Sequence, residues 1–259
     1  MLVLHAALPF KVWMDPVLSR LPGIQPLDPE DWLRVDDAYA GQMAERERLI
    51  STHPDLVHAL LPHARPAAEE LLEVVLDRLS ALGFTAEGQA WRCPDGRLVN
   101  VDHAHPLLTL GRLLQNDFCL LHEGPEGHIL TGAILCFPAS WTLAQKLGRN
   151  LLGIHVPVAG YDTLAPRVQR LFDAIRPERP LWRANVLDYV DPALFQPRRE
   201  DESRPRREDG AFIRSERQCL LRLPRSNAVV FSIHTYLVRR DTLTAEEEAA
   251  FKAYLSRNH

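Results

Sequence analysis

Two pairs of predicted strands, each joined by a short turn, constrain most strongly how this chain can fold. The first pair covers residues 118–123 and 128–138, and the second covers residues 212–223 and 228–238. Strands with so short a connection pair antiparallel, because a parallel pair needs a long crossover. Apolar residues at helical spacing precede and follow these pairs, so we predict an α+β fold with a mainly antiparallel sheet.

The length and composition favour one large domain. The chain has 259 residues, of which 46% are hydrophobic, and this is enough to bury a sizeable core. We therefore predict a single domain over residues 1–259. Its N-terminal part, about residues 1–82, is expected to be helical, and a C-terminal helix is expected at about residues 244–256.

Charge and cysteine content exclude several classes of partner. The formal net charge is −4, so no basic surface indicates nucleic acid. No apolar run reaches the roughly 18 residues of a membrane span, and the first residues lack the basic region of a signal peptide. The four cysteines are scattered without a CxxC pair, as is typical of reduced thiols. We expect a cytoplasmic protein without a membrane or nucleic-acid partner.

The segment WTLAQKLGRNLLGIHVPVAGY, residues 141–161, is predicted to begin as an amphipathic helix. The helix should break at Gly153 and Pro157, because proline has no backbone N–H to continue it. His155 lies between these two residues with apolar neighbours, and a neutral imidazole held in this way is suited to bind haem iron. The same placement suits a core histidine with both ring nitrogens hydrogen-bonded, so the residues alone leave both alternatives open.

Charged residues alternate along the predicted strand at residues 212–223. Arg214, Glu216 and Gln218 should project to one face of the sheet. Arg217 should project to the other face, and the next strand carries His234. A row of this kind is either an ion-pair ladder at the surface or, among apolar neighbours as here, a set of paired or functional charges.

Six motifs occur in an order that resembles a known family. They are LLQNDFCLL, PASWTLAQKLGRNLLGIHVPVAGY, RVQRLFDAI, RPLWRAN, RSERQCLLRLP and IHTYL. Together with the N-terminal LDPEDWLRVDDAYAGQMAERERLI, they make roughly residues 8–240 similar to the alpha subunit of haem-dependent oxidative N-demethylase, a family linked to dimethylamine monooxygenase.

The resemblance implies both a fold and a reaction. The expected fold is a PAS-like antiparallel sheet flanked by helices, with haem b as the cofactor. The expected function is that of an oxygenase-type oxidoreductase that dealkylates the nitrogen of a small amine with O₂. Electrons would come from a separate flavin or iron–sulfur reductase subunit, and a homo- or hetero-oligomer is expected.

The resemblance also implies roles for particular residues. His155 is the expected iron ligand. The other residues expected to contact the cofactor are His234, Arg217, Tyr161 and Lys146. Glu216, held by Arg214, is expected to bind the substrate, because a small secondary amine is protonated at neutral pH and pairs with a carboxylate.

The chain departs from the family pattern at three positions. It has Asn116 where the family has a glutamate, Val186 where the family has a tryptophan, and His234 where the family has an arginine. The loss of that arginine leaves the identity of the substrate undetermined and makes His234 a candidate second axial ligand. A non-catalytic haem-binding gas or redox sensor is therefore the alternative function, and a subunit that has lost haem is a third.

Overall fold

A computed structural model describes residues 2–155, 161–202 and 210–258 of the chain, without the side chains of residues 161–164 and 258. In this part of the chain the strands are β1 (Gln25–Pro26), β2 (His58–Leu60), β3 (Thr85–Glu87), β4 (Ala90–Arg92), β5 (Leu98–Asn100), β6 (Asp117–Gly124), β7 (Gly127–Ile134), β8 (Leu181–Tyr189), β9 (Phe212–Arg222) and β10 (Val229–Arg239). The α-helices are α1 (Tyr39–Thr52), α2 (Pro54–Val57), α3 (Arg65–Leu76), α4 (Pro106–Leu113), α5 (Leu143–Lys146), α6 (Leu151–Ile154), α7 (Tyr161–Ala174) and α8 (Ala245–Asn258). Single-turn 3₁₀ helices lie at Pro29–Asp31, Pro62–Ala64, Leu79–Leu82 and Arg240–Thr242.

Seven strands form the larger sheet, in the order β1-β8-β9-β10-β6-β7-β2. Every pair of neighbours in it is antiparallel. The strands β3, β4 and β5 form a smaller antiparallel sheet. The predicted α+β class is confirmed, and the two predicted strand pairs are the hairpins β6–β7 and β9–β10. Strand β8, which lies between β1 and β9, is not among the predicted strands.

Helices cover both faces of the larger sheet, and the alternation along β6 separates the two cores. Phe118 and Leu120 pack in a core with residues of α1, α3 and α4. Cys119 and Leu121 belong to a second core, with residues of α5, α6 and α7. We call the face covered by these three helices the α5–α7 face. Successive side chains of a strand point to opposite faces, so one strand contributes to both cores.

The N-terminal arm, residues 2–22, and the C-terminal helix share a third core. Trp13 packs against Phe251 of α8, with ring centroids 4.8 Å apart. Both side chains are buried, and their cluster includes Tyr236 and Val238 of β10. Helix α8 therefore lies where the sequence predicts a C-terminal helix, and the arm fixes it to the sheet.

The single amphipathic helix predicted to begin at residue 141 is wrong, because two short helices, α5 and α6, replace it. Gly148 between them has a φ of +78°, a conformation that suits glycine. Its N–H donates to the carbonyl of Leu130 in β7 at 2.8 Å, so the intervening chain pairs with the sheet. The side chain of Asn150 then caps α6 by accepting from the N–H of Gly153 at 2.9 Å.

Among the helices of the described residues, none combines the length and the apolar character that crossing a membrane requires.

Candidate functional site

Glu216 lies near the middle of β9, on the α5–α7 face of the larger sheet. It is in register with Asn185 of β8 and with Thr235 of β10. Leu220, four residues further along the same face of β9, packs in the core that α5, α6 and α7 cover. The carboxylate therefore points into the layer between the sheet and these helices.

Four donors surround the carboxylate of Glu216. The guanidinium of Arg214 donates to Oε1 from both Nε and Nη2 at 3.3 Å. The amides of Asn185 and Gln218 donate to Oε2 at 3.0 and 3.1 Å. The side chain of Glu216 is only 8% exposed, so these donors replace most of the water around it.

Arg214 is fixed by the backbone as well as by Glu216. Its Nη2 donates to the carbonyl of Phe137 at 2.5 Å, and its Nη1 donates to that of Leu194 at 3.0 Å. The guanidinium also lies over the ring of Tyr189, 5.6 Å from the centroid. With so many partners Arg214 cannot easily turn away, so it holds the carboxylate of Glu216 in place.

His155 follows α6 directly and is partly buried. Its Nδ1 lies 2.7 Å from the carbonyl of Leu151. A carbonyl oxygen only accepts hydrogen bonds, so Nδ1 carries the proton and Nε2 carries the lone pair. Burial lowers the pKa of His155, and the cations Lys146 and Arg183 lower it further, against the hydrogen bond to Leu151. The imidazole is therefore neutral at pH 7, with its lone pair on Nε2.

Lys146 anchors the turn that carries His155. Its buried ammonium donates to the carbonyl of Ile154. It also donates to Oε1 of Glu200, at 2.5 Å. Arg149 donates to the same carboxylate at 3.0 Å. Because Ile154 immediately precedes His155, these contacts position the imidazole.

The residues around His155 fit a haem group. Arg183 of β8 is in register with Gln218, so it lies on the α5–α7 face. Its Nε is buried and makes no hydrogen bond within the described residues, and burial lowers the pKa of the guanidinium. A propionate beside it would satisfy this cation. Partly buried apolar side chains on this face, which suit a porphyrin, are Trp141, Ile154, Val168, Leu171, Leu181 and Phe231.

His234 and Arg217 point to the opposite face of the sheet. They are in register with each other on β10 and β9, one position away from Glu216. Arg217 donates to the carbonyl of Trp32 at 2.9 Å and to Asp31 at 3.0 Å. The structure thus brings Lys146, Arg214 and Glu216 to the side of the sheet that carries His155, and it separates His234 and Arg217 from them. The side chain of Tyr161 lies outside the described residues.

Two polar residues of this face, Arg183 and Asn185, are not among the predicted site residues. They belong to β8, which is not among the predicted strands. A signal was present, because the polar residues at 183 and 185 alternate with the apolar Trp182, Ala184 and Val186. A period of two indicates a strand with one polar and one apolar face.

The chain matches one family model over residues 23–256, and that model is described as haem-dependent oxidative N-demethylase, alpha subunit-like. The matched region contains every residue of the α5–α7 face discussed above. It begins after the N-terminal arm.

Proposed function

We propose that this chain, which belongs to the haem-dependent oxidative N-demethylase alpha-subunit-like family, binds haem b through His155 and oxidises a carbon–nitrogen bond of a small amine. The observation that carries the proposal is the state of His155. It is neutral, its Nδ1–H is held by the Leu151 carbonyl, and its lone pair is at Nε2. Iron-ligating histidines are oriented in this way by a hydrogen bond from the other ring nitrogen.

The antiparallel sheet with helices on both faces supports a single domain with a PAS-like architecture. The haem would lie between the larger sheet and α5–α7. Arg183 would pair with a propionate, and Lys146 would hold the turn that carries the ligand. When bound, haem would supply the reduction of O₂ and the oxidation of the amine.

Glu216 is the proposed anchor for the protonated amine. Two of its four donors, Asn185 and Gln218, are neutral amides on partly buried side chains. An ammonium group would displace them from Oε2, because an ionic donor binds a carboxylate more strongly than an amide does. Arg214 would stay on Oε1 and keep the carboxylate in position.

The position of His234 supports an oxygenase over a sensor with two histidine ligands. His234 and Glu216 lie on opposite faces of the sheet, so His234 is not beside the proposed haem. On this arrangement His234 would not be a second ligand of the haem iron. The family description, alpha subunit-like, supports assembly with further subunits, and we propose a flavin or iron–sulfur reductase among them.

Amine-dependent formaldehyde release tests this function. The haem-loaded chain is supplied with electrons by a ferredoxin and its reductase, and dimethylamine serves as the probe. We expect formaldehyde to form in proportion to the O₂ consumed. A haem-loaded chain that is reduced by this system and consumes O₂ equally with and without the amine would contradict the proposal.

The variant Glu216→Gln tests the role of the carboxylate. It should keep the haem spectrum and lose both the spectral shift and the turnover produced by dimethylamine. Glu87→Gln is the matched control, because it removes an arginine-paired carboxylate from the surface. If Glu216→Gln melts at a lower temperature but responds to the amine like the wild type, Glu216 is only the partner of Arg214.

A further inference from the structure

A second cluster of metal-ligating side chains lies on the face of the sheet opposite the α5–α7 face. His234 of β10 meets His5 of the N-terminal arm and Asp36 of the segment before α1. We propose that these three residues bind one divalent first-row transition-metal ion, such as Zn²⁺ or Fe²⁺. The site is separate from the proposed haem site, and it does not rest on the proposed function.

The distances within the cluster suit a shared ion. Oδ2 of Asp36 lies 2.8 Å from Nε2 of His234 and 3.1 Å from Nε2 of His5. The ligand atoms all lie within 4.8 Å of one another. With metal–ligand bonds of about 2.0–2.2 Å, neighbouring ligand atoms of one ion are about 3 Å apart. Two imidazoles and one carboxylate are also the donor set that such ions accept.

Neighbouring groups hold the ligands in place. Oδ1 of Asp36 accepts from the amide of Gln115 at 2.7 Å and from the N–H of Ala38 at 3.1 Å. This fixes the carboxylate with Oδ2 turned towards the two histidines. The backbone of Leu237 fixes the ring of His5, since its N–H donates to Nδ1 at 3.1 Å and its carbonyl lies 3.4 Å from the same atom.

His234 provides an observation that hydrogen bonding alone does not explain. The residue is 1% exposed, and its Nδ1 makes no hydrogen bond within the described residues. The link to Asp36 is therefore its one polar side-chain contact in that part of the chain. A buried imidazole with an unused nitrogen is unfavourable, so the pair with Asp36 alone does not satisfy His234.

An open pocket gives access to this cluster. It has a volume of about 390 Å³, and its lining includes His5, Asp36 and Tyr236. The hydroxyl of Tyr236 is buried and makes no hydrogen bond within the described residues. Arg34 also lines the pocket, but it pairs with Asp31 at 2.7 Å, which weakens its repulsion of a cation. Three protein ligands beside a pocket leave coordination positions for water or a small ligand.

Two of the three ligands lie outside the family pattern. His5 precedes residue 23, at which the family match begins. His234 stands where the resembling family has an arginine, and an arginine cannot act as a metal ligand because it stays protonated. His5 of the arm and His234, which departs from the family pattern, thus meet at the same site.

Calorimetric titration with Zn²⁺ tests the proposal. The full-length chain is first dialysed against a chelator, and bound zinc is then measured by elemental analysis. We expect one Zn²⁺ ion per chain. His5→Ala, Asp36→Asn and His234→Ala should each weaken binding by more than about 100-fold, since even the loss of an outer-sphere partner costs 10–100-fold.

His105→Ala is the matched control, because it removes a histidine that contacts Asp102 at 2.8 Å on the surface, with no third ligand among the described residues. It should bind Zn²⁺ like the wild type. His5 lies on the arm rather than in a strand, so His5→Ala keeps the test valid if His234→Ala fails to fold. Wild-type affinity in His5→Ala would overturn the proposal, as would the absence of Zn²⁺ uptake by the wild-type chain.

Discussion

The buried ion pair between Arg46 and Asp117 should be the most sensitive polar contact of the fold. Arg46 on α1 is fully buried, and Asp117 at the start of β6 is 1% exposed. Their Nη1 and Oδ1 atoms are 2.6 Å apart. Asp117 also accepts from the N–H groups of Cys136 and Phe137 at 2.7 and 2.9 Å. The carboxylate thus joins α1, β6 and the segment after β7.

Asp117→Asn removes the negative charge with little change in size. The guanidinium of Arg46 then remains buried without a counter-ion, and the side-chain amide faces two N–H donors. Removing one partner of a buried pair costs about 3–5 kcal/mol. For a protein of this size we expect the melting temperature to fall by roughly 6–20 °C, at about 2–4 °C per kcal/mol.

Urea unfolding followed by circular dichroism measures this loss, on proteins of equal haem content. Asp241→Asn is the control, because Asp241 pairs with Arg239 at the surface, and an exposed ion pair contributes little to stability. Replacing Arg46 by Met together with Asp117→Asn should recover part of the loss, since no buried charge is then left alone. A loss for Asp117→Asn no larger than that of the control would refute the reasoning.

Two further predictions concern packing and pH. Phe251→Ala should lower the free energy of unfolding by about 3–5 kcal/mol, because Phe251 is fully buried against Trp13; a loss below about 1 kcal/mol in urea unfolding would contradict this packing. Burial lowers the pKa values of His58, His122 and His128, so below about pH 6.5 the unfolded chain binds protons that the folded chain does not. Stability should therefore fall as the pH drops from 7 to 5, by up to about 1.4 kcal/mol per pH unit for each histidine, and the fall should be smaller in His128→Gln than in the wild type.

The parts of the fold that could be predicted from sequence have local signals. Alternating apolar residues around a short turn specify β6–β7 and β9–β10. The same alternation places Arg214, Glu216 and Gln218 on one face, where they hydrogen-bond one another. The helical period from residue 141 gave a wrong prediction of one helix, because Gly148 ends the first helix and the cap at Asn150 begins a second one.

The parts that could not be predicted depend on contacts between distant residues. His5, Asp36 and His234 are far apart in the chain, and no local pattern connects them. The placement of His234 away from His155 likewise follows from the register of β9 with β10 and from the helices that cover one face. Strand alternation indicates that Glu216 and Arg217 face opposite ways, but it does not say which face the helices near His155 will cover.

Rescue of a His155→Gly variant by imidazole tests the central claim most directly. The wild-type chain titrated with haemin should give a Soret band that saturates at one haem per chain. His155→Gly should lose the band while keeping its circular dichroism spectrum, and added imidazole should restore the band by occupying the vacated ligand position. His122→Gly, which changes another partly buried histidine, should behave like the wild type. A wild-type Soret band in His155→Gly without imidazole would show that another residue binds the iron.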